Sequence, residues 1–392
     1  MVDKKIKVCN ITEEGRFGGP ARRIVQVAKA LKPLGVDTHV VYPNLDSERF
    51  TQELSHAGVK ATALNITRLT KEKKILARYI IRFPIEIIIL CLFFRKHDFQ
   101  LVHVNGSYQL KGVIAAKLMG IPAVWHLNDT GMDAIIKKIS MVLAKYCASG
   151  FIVAGKRVRD FYLQESDVLE KKPVTEIHAP VDTVIFNPEL VDSDERLTEA
   201  DGTKILTVSG FAPGKGLTYF INMASILMQQ KQNISFFIAG AKINSQKEYI
   251  QSLEQQIASS KLNDKILFLG LVKNVPAILK GADIVVITSL AEASPTVVWE
   301  AMSMGKAIVS TDVGSVNQYI EDGVSGLIVP IKDAKALSEK VQLLLDNPTL
   351  RQEMGAKARI VAQQHLDISI AAQKHRDFYQ EIISSSTNSI VQ

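Results

Sequence analysis

Residues 283–311 read DIVVITSLAEASPTVVWEAMSMGKAIVST. The first six form a β-branched apolar run, the pattern of a buried strand. A short loop follows. Ser294 suits a helix N-cap and Pro295 the first helical position. The helix reaches about Met304 and stops at Gly305, and AIVST opens a second strand. Two acids mark this βαβ unit: Glu292 in the loop at the strand's C-terminal edge, and Glu300 in the helix beyond its first turn. A helix N-terminus offers unpaired N–H groups and partial positive charge, which suit a phosphate. Carboxylates cannot bind phosphate, but they accept hydrogen bonds from hydroxyls. Together these groups fit a nucleotide-sugar, with pyrophosphate in the middle and a hydroxylated ring on either side.

The same alternation extends in both directions. IKVCNI, THVVYP, LVHVNG, PAVWHL and GFIVAG read as strands separated by helical stretches such as ARRIVQVAKALKPLG. Residues 187–203 are polar and lack apolar periodicity. Beyond them KILTVSG, ISFFIAG, KILFLG and IVVITS repeat the pattern. Continuous apolar strands between helices predict doubly wound parallel sheets. The expectation is two Rossmann-like α/β domains, 1–187 and 188–367, facing across a cleft. A C-terminal helix, 368–384, either ends the second domain or crosses back to the first. The polar tail SSSTNSIVQ (384–392) is the one stretch expected to be disordered.

With 392 residues, 47% hydrophobic and 22% charged, the chain is an ordinary globular protein with two cores. Cys9, Cys91 and Cys147 lack metal-binding spacing and read as buried thiols in a reducing compartment. The N-terminal residues MVDKKIKVCNI carry no signal-like apolar run. Charge is uneven: residues 1–180 hold 28 Lys+Arg against 17 Asp+Glu. That excess fits an anionic ligand or surface. Residues 71–96, KEKKILARYIIRFPIEIIILCLFFRK, are basic at both ends and apolar within. Arg82, Pro84 and Glu86 interrupt the stretch, so it does not span a bilayer. It suits a helix lying in a membrane interface, with Lys74, Arg78 and Arg82 as a cationic stripe, or one packed on the sheet.

The residues around the two acids resemble a known family, the retaining, metal-independent GT-B-fold glycosyltransferases of family 4. Glu292 and Glu300 match its E-x7-E motif, and residues 292–330 follow its pattern nearly throughout. GGPARRIVQVAKALKPLG (18–35) is similar to its glycine loop and first helix, SGFAPGKGL (209–217) to its phosphate-binding turn, and PVDTVIFNP (180–188) to its interdomain segment. The resemblance implies that Glu300 holds ribose hydroxyls and Glu292 contacts the transferred sugar. Ala293, Ser294, Pro295 and Thr296 meet sugar and pyrophosphate through backbone. Lys215 pairs with phosphate beside Gly210, Gly19 permits close approach, and Gly270 and Leu271 lie near the base. It also implies a nucleotide-sugar donor, a glycan or lipid-linked acceptor at the cytoplasmic membrane face, no metal or other cofactor, and no nucleic-acid partner.

Three departures stand out. Phe211 occupies the position of the family's arginine. The family's histidine falls by count on Asn128, with His126 two residues earlier on the same side of the strand, so either could reach the donor sugar. Ala293-Ser294 replaces the usual Gly-Phe. GFAPGKG is not a P-loop, since Gly216 stands where Ser or Thr is required. Asp192-Ser193-Asp194 imitates a metal-binding DxD but lies in the polar junction. Trp125, Trp299 and His103 read as core residues. Arg22 and Arg23 either meet an anion or are solvated. Two other functions share these features: a non-catalytic nucleotide-sugar-binding scaffold and a sugar-nucleotide epimerase.

Overall fold

The computed structural model describes residues 5–70, 72–229, 233–242 and 246–391; Lys71 of the basic stretch and Gln392 of the tail lie outside them. The chain divides into two compact units: everything to Ala179 together with Ile368 onward, and Pro180–Asp367.

Among the described residues the first unit holds β1 (Ile6–Thr12), β2 (Val36–Pro43), β3 (Lys60–Leu64), β4 (Leu101–Asn105), β5 (Ala123–Leu127), β6 (Gly150–Val153) and β7 (Val174–Glu176). They pair in the order β3-β2-β1-β4-β5-β6-β7, all parallel. The second holds β8 (Thr203–Val208), β9 (Ile234–Ala239), β10 (Ile266–Gly270), β11 (Ile284–Ile287), β12 (Ala307–Thr311) and β13 (Leu327–Val329), in the order β10-β9-β8-β11-β12-β13. Both orders are doubly wound. Strand order reverses between β1 and β4 and between β8 and β11, and ligands bind at such switch points, beyond the strands' C-terminal ends. Apolar side chains pack on both faces of the second sheet. Ile205, Phe236, Val286 and Val309 point to one side of the second sheet, and Leu206, Phe237, Val285 and Ile308 to the other.

The unit boundary falls at Ala179/Pro180 rather than after Asn187. The segment 180–187 is tied to the second unit by hydrogen bonds that its sequence does not announce. Ser303 Oγ donates to the Phe186 carbonyl at 2.7 Å, Arg359 Nη2 to Asn187 Oδ1 at 2.8 Å, and Thr183 Oγ1 to Asp367. The polar tail is also corrected, because the last helix continues to Val391. The hydroxyls of Ser385, Ser386 and Thr387 bond back to carbonyls four residues earlier, so they need no solvent partner. All three cysteines are free, but only Cys9 is buried.

Candidate functional site

In the second unit the two loops at the switch point are stitched together. After β8 the chain makes the tight turn Pro213–Lys215. Gly216 follows at φ 64°, where a Cβ would lie 2.1 Å from the Thr288 carbonyl oxygen, so no side chain fits. The Leu290 N–H donates to the Gly214 carbonyl at 2.8 Å and the Thr288 hydroxyl to the Lys215 carbonyl at 2.9 Å. This brings Lys215 and Glu292, distant in sequence, into an ion pair. Ser289 Oγ donates to the same Glu292 oxygen at 3.0 Å.

The following helix is Thr296–Ser303, with Pro295 as its N-cap. It starts one residue later than Ser294 predicted, because Ser294 Oγ accepts the indole N–H of Trp299 at 3.1 Å. Gly314, at φ 54°, packs its α-carbon against the Ala293 carbonyl, where a Cβ would come within 2.4 Å. Residues 292–296 are therefore held from below by the loop after β12. Glu300 sits one turn into the helix and is 5% exposed. Gly210 and Gly214 have open space where a Cβ would be. Gly270 ends β10 at φ 68°, and the side chain of Leu271 is exposed.

Phe211 is a core residue. It is 2% exposed and its ring lies 5.7 Å from Phe268. The charge near it comes from Lys242, whose ammonium stands 4.2 Å from the Phe268 ring and pairs with Glu254 at 2.6 Å. Both tryptophans are fully buried; Trp125 donates to the Gly106 carbonyl at 3.0 Å.

In the first unit Gly19 opens the Gly19–Leu31 helix and is exposed, with nothing near its missing Cβ. Asn128 lies just past β5 and is half-buried; its N–H donates to Ser107 Oγ at 3.3 Å. His126 does not face outward with it. It is fully buried in a polar chain that the sequence did not reveal. Arg23 Nη1 donates to His126 Nε2 at 2.7 Å, and Nη2 to Asn105 Oδ1 at 2.9 Å. An arginine cannot accept, so His126 accepts at Nε2, and Arg23 Nη2 also lies 3.3 Å from its Nδ1. His126 Nδ1 lies 3.2 Å from His103 Nε2, and His103 Nδ1 lies 2.5 Å from Tyr379 Oη. The rings of His103 and His126 stack at 5.3 Å, and His375 lies 5.8 Å from His103.

Burial holds all three histidines neutral, His103 and His126 well below their ordinary value and His375 down to about 4, with Arg23 adding to each. Burial also lowers Arg23 to about 10. The cluster ties the last helix to the sheet. Arg23 belongs to this core and is not solvated as one reading expected. The signal for its partners was spread over four elements, with no local spacing to find it by.

Asp194 caps the short helix Glu195–Thr198 and pairs with Arg196 at 2.8 Å. Among the described residues no three His, Cys, Asp or Glu side chains are grouped to hold a metal.

Comparison with known proteins covers most of the chain. The family model "Glycosyltransferase Family 4" matches residues 17–185, and "Glycosyl transferases group 1" matches residues 192–361. The alpha-D-kanosaminyltransferase of Streptomyces kanamyceticus is 24% identical over 71% of this chain and 75% of its own. The N,N'-diacetylbacillosaminyl-diphospho-undecaprenol alpha-1,3-N-acetylgalactosaminyltransferase of Campylobacter jejuni is 25% identical, over 92% of this chain and 95% of its own. In fold, the chain is similar to HepE of Anabaena, solved in complex with UDP. The TM-score is 0.82 at 19% identity, over 96% of this chain and 100% of that one.

Proposed function

This chain belongs to the group 1, family 4 glycosyltransferases, and from that premise we propose that it transfers its sugar to a lipid-linked acceptor at the cytoplasmic membrane surface, retaining anomeric configuration and using no metal. The Lys215–Glu292 pair at the second switch point carries the reading. It puts a cation for the diphosphate beside a carboxylate for the sugar. Glu300 takes the ribose, the backbone of 293–296 the sugar and pyrophosphate, and Gly270 and Leu271 the base. Within the first unit, Gly19 and Asn128 lie at the C-terminal edge of that unit's own sheet. The departing phosphate, clamped by Lys215 and the helix N-terminus, takes the acceptor's proton on the face it leaves. No carboxylate then needs to act as nucleophile, and catalysis rests on charge stabilisation and orientation.

The test is nucleotide release from UDP-, GDP- and ADP-sugars, in EDTA, with and without a polyprenyl-diphosphate-linked sugar. Release that rises with acceptor, and a product NMR coupling matching the donor's anomer, is the expected result. Abolition by EDTA with rescue by Mg²⁺ or Mn²⁺ would restore a metal. Isomerised donor without release would mean an epimerase, and no turnover of any donor a scaffold.

The lipid acceptor is supported by the relative whose name carries diphospho-undecaprenol, and by one face of the first unit. The Lys73–His97 helix leaves Ile81, Ile85, Ile88 and Leu92 exposed, one stripe at helical spacing. The Ala134–Cys147 helix does the same with Ile135, Ile139, Val142 and Tyr146. The Leu110–Leu118 helix packs against both. The only acid on these three helices, Glu86, is fully buried, so their exposed charges are all positive. No helix among the described residues is long and apolar enough to cross a membrane.

One part of the expected cationic stripe is corrected. Arg82 bonds Glu86 at 2.9 Å and the Asn65 carbonyl at 2.9 Å, so it serves the fold. Co-sedimentation with phosphatidylglycerol vesicles should therefore fall on the order of 100-fold when Lys73, Lys74 and Arg78 together become Gln, at about 1 kcal/mol each. Changing Ile81, Ile85 and Ile88 to Ser should also release the protein. Equal sedimentation of wild type and both variants would leave this face without a membrane role.

A further inference from the structure

Strands β1, β2 and β3 send their C-terminal loops to one end of the first sheet, and between those loops lies a cavity of about 200 Å³. Glu13, immediately after β1, lines it. Its Oε1 accepts the Leu69 N–H at 2.8 Å, while Oε2 is buried with no partner among the described residues. Buried carboxyl oxygens are rarely left so, and an exception asks for an explanation.

The walls are built to hold their shape. Glu86 accepts the Thr67 N–H with both oxygens at 3.0 Å, and Arg82 holds the Asn65 carbonyl. Gly15 touches the β2 loop so closely that a Cβ would sit 2.4 Å from the Pro43 carbonyl oxygen. The charges around the cavity balance, with Arg68 and Arg78 against Glu14 and Asp46. Burial, opposed by the Leu69 N–H and by Lys111, pushes the Glu13 carboxyl up to about 8. Near neutral pH it is therefore a neutral acid whose O–H is available.

We propose that this cavity is a subsite for one neutral, hydroxyl-bearing sugar ring of the acceptor, with Glu13 as the buried hydrogen-bonding group that orients it. The proposal rests on the transferase reading above. A sugar hydroxyl both donates and accepts, which matches an acid O–H in a cavity that Asn44 and Asn65 also line. A charged ligand finds no net opposite charge here. The volume lies below the range of pockets for drug-sized ligands, which limits the occupant to a single ring. The side chains assigned to the diphosphate, sugar and ribose of the donor, Lys215, Glu292 and Glu300, belong to the second unit and none lines this cavity, so this subsite is given to the second substrate.

Saturation-transfer NMR on the full chain tests it, with the methyl glycosides of glucose, galactose, mannose and N-acetylglucosamine as probes. At least one glycoside should receive saturation from wild type. Glu13→Gln, whose amide can accept from Leu69 and donate into the cavity, should keep the signal. Glu13→Leu should lower it at least tenfold, and so should Ile75→Trp, which fills the cavity from the half-buried side of a surface helix. Affinity for whichever of UDP, GDP or ADP binds should be the same in all four proteins, and that nucleotide should not displace the glycoside. Absence of any glycoside signal with wild type, displacement by the nucleotide, or a signal that survives Ile75→Trp overturns the subsite. Failure of every nucleotide to bind wild type would instead remove the transferase reading beneath it.

Discussion

Lys215→Ala is expected to lower kcat by about 10²–10³-fold, the usual loss when one preorganised donor to a developing negative charge is removed. The geometry says why the loss falls on turnover. The turn Pro213–Lys215 is fixed by Gly216 against the Thr288 carbonyl, and Ser289 and Lys215 share one oxygen of Glu292. The ammonium is thus held in place before a donor arrives, and charge on the leaving diphosphate grows toward the transition state. Donor affinity should fall as well, for a separate reason. Without Lys215, the Glu292 carboxylate keeps only the Ser289 hydroxyl among these partners and would face the diphosphate as a like charge. Adding Glu292→Gln to Lys215→Ala should therefore recover donor affinity but not kcat, and the two changes should be non-additive. Single-turnover rates and nucleotide titrations of the three variants separate these effects. Wild-type kcat in a folded Lys215→Ala protein would move the phosphate clamp elsewhere.

The strands that carry the fold were legible because each is a continuous apolar run between helices, as parallel strands covered on both faces must be. The three that escaped notice show the limit. β3, KATAL, is an edge strand with half-exposed side chains, and β7, VTE, and β13, LIV, have three residues each. The loop and helix from Glu292 to Glu300 were legible because loop, cap and helix are local events. What sequence could not show was non-local. His126 looked like a strand histidine that could reach outward, but its partners are Arg23 on a helix and His103 on the neighbouring strand. Arg82 and Glu86 looked like interruptions of an apolar helix; they are its anchor to the segment after β3. Phe211 looked like a lost cation and is a core side chain. In each case the deciding fact was burial against another element, which no spacing along the chain encodes.

Lys111→Met is expected to cost about 3–5 kcal/mol, the range for removing one partner of a buried ion pair. Lys111 and Glu86 are both fully buried and 2.6 Å apart, and the ammonium also bonds the Thr67 carbonyl and stands 4.3 Å from the Tyr79 ring. Burial alone would raise the Glu86 carboxyl, yet hydrogen bonds from Lys111, Arg82 and Thr67 outweigh it and leave it below its ordinary value. Glu86 therefore stays charged in the fold, and without Lys111 only Arg82 and Thr67 remain to compensate it. The lower end of the range applies because Arg82 persists. For a unit of this size each kcal/mol moves Tm by roughly 2–4 °C, so the first unit's transition should drop by about 6–12 °C. The sign with pH follows from the depressed pKa. The pair's contribution is complete above the unfolded carboxylate range and fades as pH falls through the folded value. In Lys111→Met the Glu86 pKa rises, so the gap to wild type should narrow on acidification. Glu86→Gln added to Lys111→Met removes the orphaned charge and should recover part of the loss, because a neutral pair of similar volume needs no compensation. The segment Asn65–Thr67 hangs from this cluster, so the single variant should also loosen the wall beside Glu13, seen as faster amide exchange at Thr67 and Leu69. A Lys111→Met protein within 1 °C of wild type at neutral pH would mean that Glu86 is not held by Lys111, and the wall would need another support.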